Sequence, residues 1–155
     1  MPTRRDIMTG GAALAATALL KPPPVQAQLS TASNTDMAAV IAEKTRGAAV
    51  QRGKVILGIP QIAESGLQVF TTVSVDSPMT ADDHVKAIHL FSEKNPIAHI
   101  TTFQFGPRAG RAKVSTNIRL AGTQRVTAIA EMSNGSFWSD EKEVIVTIAA
   151  CIDGG

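Results

Sequence analysis

The sequence predicts an all-β protein, an immunoglobulin-like antiparallel β-sandwich with one short N-terminal helix. Three observations predict it. From Lys54 onward apolar side chains return at every second position, the period of a strand with one buried face. Glycine, proline and asparagine interrupt that pattern about every 8 to 15 residues. No apolar run at helical spacing separates the strands, so helical crossovers of a parallel sheet are not expected. Roughly six or seven short strands follow.

The chain of 155 residues opens on a segment set apart from that fold. Thr3-Arg4-Arg5-Asp6-Ile7-Met8 pairs two arginines, an apolar run covers 12–20, and Lys21-Pro22-Pro23-Pro24-Val25-Gln26-Ala27 closes it with a small-residue cleavage site after Ala27. This is the pattern of a twin-arginine export signal over residues 1–27, and it predicts a periplasmic protein. The run is too short, and too rich in alanine and glycine, to remain in a bilayer as an anchor, so no membrane attachment is expected after cleavage. Removing 27 of the 155 residues leaves 128, a size suited to one domain. Lysine plus arginine falls from 15 to 12 as Arg4, Arg5 and Lys21 leave, and aspartate plus glutamate from 13 to 12 with Asp6. The basic excess therefore belongs to the signal, and the balanced remainder gives no electrostatic case for nucleic acid. Tyrosine is absent and aromatic residues make up 4%, which argues against a stacking surface for sugars or bases.

Residues 28–34 are small and polar, an expected disordered leader. Ser33-Asn34-Thr35-Asp36 offers N-cap residues before Met37, Val40 and Ile41, whose spacing predicts a short helix ending near Gly47 or Gly53 and covering a sheet edge or core opening. Val55-Ile56-Leu57 is a strand broken by Gly58 and Pro60, and Leu67, Val69, Thr71, Val73 and Val75 alternate until Asp76-Ser77-Pro78 stops them. Further strands are expected over 85–91, over 98–105 after the Asn95-Pro96 turn, and over 114–120 after the loop at 106–111. A strand over 126–132 then meets Ser133-Asn134-Gly135-Ser136, a hairpin signal.

The last strand leads to the candidate site. Val144, Val146 and Ile148 share one face and Ile145 and Thr147 the other, so the body of the domain is expected over 28–148, with order up to about Ile148. Residues 149–155 are expected to form a mobile arm, because Ala149 and Ala150 have little to pack and Gly154-Gly155 have no side chains. The arm carries Cys151, the one cysteine in the sequence, up to about 10 Å past the last paired residue. A lone cysteine in an oxidising compartment either pairs with another chain or does chemistry. A thiol of ordinary acidity, pKa about 8.5, is ionised only to a few per cent at neutral pH, and Asp153 opposes ionisation further. No base stands near Cys151 in sequence. It therefore suits a covalent substrate carrier acted on by separate enzymes, not an autonomous catalyst. The alternative is an exported interaction module whose cysteine only crosslinks chains.

His84, His89 and His99 raise a second rival, an enzyme with a metal centre, but their spacing matches no compact ligand motif and His89 and His99 fall inside expected strands. They are read as satisfied strand residues, and no metal or other cofactor is expected. Asp82-Asp83-His84 reads as a turn cap, and Met79 and Met132 as core or rim. Among Phe70, Phe103, Phe105, Phe137 and Trp138, expected in core or interface, Trp138 is placed in the turn after Asn134-Gly135 as the best candidate for a partner-facing aromatic.

Together these features resemble the SoxY sulfur-carrier family of periplasmic thiosulfate oxidation. The resemblance lies in the paired-arginine leader, Ile59-Pro60-Gln61-Ile62-Ala63-Glu64-Ser65-Gly66, Val73-Ser74-Val75-Asp76-Ser77-Pro78-Met79, Asn95-Pro96, Arg119-Leu120-Ala121 and the near-terminal cysteine. It implies an immunoglobulin-like subunit paired with a SoxZ-like partner, in which Cys151 is the covalent attachment point for thiosulfate-derived sulfur. It also implies separate oxidising and hydrolysing enzymes, containing haem, manganese or molybdenum, that act on the adducts. The family's arm is rich in glycine on both sides of the cysteine. Here Ala149 and Ala150 precede Cys151, and Ile152 and Asp153 follow it. Alanine lacks glycine's positive-φ freedom, and Asp153 adds mild repulsion toward anionic sulfur species.

Overall fold

The computed structural model describes residues 36–150. The expected export signal at 1–27, the polar leader at 28–34, and Cys151 with the residues after it lie outside the described residues. Among the described residues no helix is long and apolar enough to cross a membrane.

Helix α1, Met37–Thr45, begins where Asp36 caps it, Oδ1 accepting the Ala38 N–H at 3.0 Å. It ends at Arg46, which takes a left-handed conformation at φ 55°, before Gly47 at φ 73° donates to the Ala42 carbonyl at 2.9 Å. Nine strands follow among the described residues: β1 Val50–Arg52, β2 Val55–Gly58, β3 Ile62–Ser65, β4 Val69–Val75, β5 Val85–Ser92, β6 His99–Gln104, β7 Ala112–Ile118, β8 Gln124–Met132 and β9 Phe137–Ile148. A single 3-10 turn, Pro107–Ala109, precedes β7.

The strands form an immunoglobulin-like sandwich of two sheets. One runs β1-β9-β8-β5-β6 with β3 also on β9, and the other runs β2-β4-β7. Alternation sends Leu57, Val69, Val73, Ile88, Leu90, Val126, Ala128, Ala130, Val144 and Val146 into the space between them, all buried. The opposite parity of the larger sheet buries Phe91, Ile129 and Phe137 on its outer face, and α1 covers them with Met37, Val40 and Ile41. The helix thus closes the outer face of the larger sheet, where an edge or a core opening was expected, and hides one aromatic pair that alternation alone would leave in water.

Two strands escape sequence reading. β1 and β3 are three and four residues long and pair with β9 in parallel, Val50 opposite Phe137 and Ile62 opposite Ile145. Segments that short carry no measurable period, and they exist because β9, at twelve residues, offers an edge long enough for both in succession. The expected six or seven strands are therefore nine among the described residues, with β1 and β3 joining the antiparallel sandwich through parallel pairs. β9 also starts earlier than expected, so Trp138 lies in a strand and not in the turn. The turn itself forms as its asparagine and glycine suggest: Gly135 has φ 82° and Asn134 Oδ1 accepts the Ser136 N–H at 2.9 Å.

Candidate functional site

β9 delivers the chain to Cys151, and the geometry just before that residue is described in full. β3 runs beside the end of β9, pairing Ala63 with Val146 and Ser65 with Ile148. The chain then turns at Gly66, whose N–H donates to the Ile148 carbonyl at 2.8 Å and whose carbonyl accepts the Leu120 N–H at 2.8 Å. Leu120 in turn accepts the Ala150 N–H at 3.2 Å. Sequence reading placed the end of order near Ile148. At the end of the described residues Ala149 is exposed, while Ile148 and Ala150 are bonded to Gly66 and Leu120, from distant parts of the sequence, and Ala150 is 4% exposed. Beside Leu120, the residues Pro96, Ile97, His99, Ile100, Ile118 and Arg119 line a largely apolar cavity of about 410 Å³.

The three histidines do not converge. His84 bonds through Nδ1 to the Thr80 carbonyl at 3.1 Å, in the loop before β5. His89 Nδ1 and His99 Nε2 both contact Thr102 Oγ1 at 2.8 Å, beneath the helix-covered face and beside Phe91. A threonine hydroxyl has one hydrogen to give, so at least one of the two imidazoles donates an N–H to Thr102 Oγ1. His89 Nε2 is buried without a hydrogen-bond partner, so the reading of this residue as fully satisfied is corrected. Among the described residues no three histidine, cysteine or acidic side chains gather as a metal-binding group.

Both histidines are held below the ordinary imidazole pKa: His89 by burial above all, with His99 and Lys44 adding to it against Glu131, and His99 by burial and then Lys44. Protonation therefore favours the unfolded chain. Stability should be level above about pH 6.5, where the unfolded imidazoles are neutral, and should fall as pH drops below that value. Thermal melts between about pH 8 and pH 5 check this. A melting temperature that stays constant over that range would overturn it, and His89→Gln should shrink the acid loss because only His99 then titrates.

Glu131, on the same outer face, accepts from Arg46 at 3.0 Å and Lys86 at 3.2 Å. Burial pushes its carboxyl up, but the two cations outweigh that and hold it below the usual range. Arg46 and Lys86 lie 85 and 45 residues away in sequence, so no local pattern announces the cluster. The turn at 80–84 is closed by the Thr80 hydroxyl and by the backbone of Asp82 and Asp83, not by their carboxylates. Met79 is buried, with its sulfur accepting the Val85 N–H at 3.5 Å. Trp138 is half-buried: it packs against the core, its Nε1 donates to Ser136 Oγ at 3.1 Å, and Lys54 Nζ sits 5.1 Å over its ring.

The family model described as sulfur oxidation protein SoxY matches residues 38–151, a segment that ends on Cys151. Among solved structures, the sulfur carrier protein SoxY from Chlorobium limicola f thiosulfatophilum superposes with a TM-score of 0.60 at 27% identity, covering 74% of this chain and 93% of that one. The superoxide reductase (neelaredoxin) from Ignicoccus hospitalis gives 0.54 at 20% identity over 61% of this chain and 80% of its own. The superoxide reductase from Nanoarchaeum equitans gives 0.52 at 20% over 62% and 100%. The two reductases share the immunoglobulin-like sandwich, and at that identity the likeness is one of fold. No curated protein sequence matches.

Proposed function

Since the chain belongs to the SoxY family, we propose that it is a periplasmic sulfur carrier and not itself an enzyme, holding thiosulfate-derived sulfur covalently on Cys151. The observation that carries this reading is the family match running up to and including the single cysteine, directly after a strand end whose root is ordered. Export by the twin-arginine route over residues 1–27, cleavage after Ala27, and pairing with a SoxZ-like subunit are parts of the same proposal.

The chemistry is a cycle of bonds to one sulfur. Thiolate and thiosulfate join as a cysteine S-thiosulfonate, the two electrons released passing in two one-electron transfers to a separate oxidising enzyme. Water then cleaves the terminal sulfonate as sulfate, leaving a persulfide on Cys151. Oxidation of its outer sulfur by a second redox enzyme, with water supplying the oxygens, gives a sulfonate that a second hydrolysis releases as sulfate, restoring the thiol. The protein contributes tethering. A covalently held intermediate meets each enzyme at raised effective concentration and cannot diffuse away between steps.

Mass spectrometry of the C-terminal peptide, taken from chain purified with its partner after exposure to thiosulfate and the oxidising enzymes, tests the reading. Sulfur and sulfur-oxygen adducts on Cys151 are expected. Finding only protein disulfides there would replace the carrier with a module that merely crosslinks chains.

A further inference from the structure

We infer that the free edge of β7 is a docking site for an extended, acidic strand of another protein, which enters the smaller sheet as its fourth strand. This goes beyond the carrier reading and does not depend on it. The smaller sheet ends at β7, which pairs with β4 on one side only, so alternate backbone N–H and C=O groups of Ala112–Ile118 turn away from the sheet. β2 packs over β8 and β9, which puts β7 on the same side of the sandwich as β6, the edge of the larger sheet. That side is incompletely closed. Ile100, Phe103, Phe105 and Val114 pack against the core there yet are only half-buried.

The apolar cavity of about 410 Å³ lies on this side, between Ile97 and Ile100 and the end of β7 at Ile118 and Arg119, and Ile97 is 72% exposed. Its walls are fixed in advance. Asn95 Nδ2 donates to the Arg119 carbonyl at 2.8 Å and Asn95 Oδ1 accepts the Ala121 N–H at 3.0 Å.

Alternation along β7 defines the strand that fits. Val114, Thr116 and Ile118 face inward, while Lys113, Ser115 and Asn117 are exposed on the outer face. An added strand keeps that parity, so its inward side chains extend the core and its outward ones stand beside Lys113. Charge decides what those outward residues are. Between Glu93 and Glu131 the sequence holds six lysines and arginines and no acid, whereas the rest of residues 36–150 sets six against eleven acids. Arg108, Arg111, Lys113 and Arg119 flank the β7 edge, all exposed and outside the ion pairs formed among the described residues. A second copy of this chain docked edge to edge would bring Arg111 and Lys113 against their counterparts, and like charges that close repel. Carboxylates on the incoming strand reverse the sign of that interaction.

The probe is a blocked eight-residue peptide of alternating valine and glutamate, titrated into the isotopically labelled full chain. Saturable amide shifts are expected along Ala112–Ile118 and at Ile97, with slower amide exchange in β7. Arg111→Glu combined with Lys113→Glu should weaken binding by about tenfold or more, and added salt should weaken it in the unaltered chain. Both positions are exposed, so the double variant keeps its fold. Ile97→Ser should weaken binding without changing charge. Absence of saturable shifts at millimolar peptide, shifts confined to another face, or undiminished affinity in the double variant would overturn the site. So would equal binding of an alternating valine and lysine peptide. An all-glutamate peptide that binds as tightly would replace the strand site with a general anion patch, and self-association through β7 would replace the acidic partner with a second copy.

Discussion

Cys151→Ser is expected to abolish thiosulfate-dependent turnover in a system reconstituted with the partner subunit and the oxidising and hydrolysing enzymes, with no change in fold. Serine keeps the size and position of the side chain but cannot form the sulfur-sulfur bond on which every step of the cycle depends. The loss should be complete and not graded, because a carrier has no second group to take over. The stability change should stay within about 0.5 kcal/mol, the range of a substitution that removes no core side chain. Turnover and melting temperature measured on the same preparation decide the matter. Retained turnover in the serine variant ends the carrier proposal, whereas lost turnover accompanied by a lowered melting temperature would show that residue 151 supports the fold.

Phe137→Ala should produce the largest loss of stability among single side-chain truncations on the helix-covered face. Phe137 is 1% exposed, packs with Phe91 and Ile129 beneath Met37, Val40 and Ile41, and has the Arg46 guanidinium 5.8 Å from its ring centre. Truncation removes transfer energy and leaves a cavity that a flat sheet and a short helix cannot close, a combination that costs about 3–5 kcal/mol. Against a typical domain stability of about 5–15 kcal/mol that is a large share. Phe70→Ala is the internal control. Phe70 is 59% exposed on the outer face of the smaller sheet, and its loss should cost only a small fraction as much. Urea titration of both variants checks the contrast, with the midpoint falling sharply for Phe137 at nearly constant slope. A loss below about 1 kcal/mol at Phe137 would mean that α1 contributes little to closing the sheet.

The strands of six to nine residues were placed well: β4, β5, β6, β7 and β8 all fall within about two residues of their expected bounds. The hairpin at Asn134-Gly135 and the cap at Asp36 were legible because each is local chemistry between neighbours. β1 and β3 were not, since three or four residues show no period and their parallel pairing depends on an edge that lies some 80 residues away. Trp138 was misplaced for a related reason: β9 begins with Phe137 and then passes through Ser139, Asp140, Glu141 and Lys142, a polar run that reads as loop until its pairing with β8 is seen.

The sequence by itself determined the sandwich, the residue proposed to bear the chemistry, and the family resemblance, because alternation, turn chemistry and a single cysteine are properties of the linear chain. Only the tertiary structure decided how the backbone after β9 is held as far as Ala150. That depends on Gly66, Leu120 and Ala150 meeting through backbone hydrogen bonds, with room for no side chain at the crossing. Glycine at 66 looks like an ordinary turn residue in the sequence, and contact between segments 54 and 30 residues apart leaves no local trace, since it is made by atoms that every residue shares.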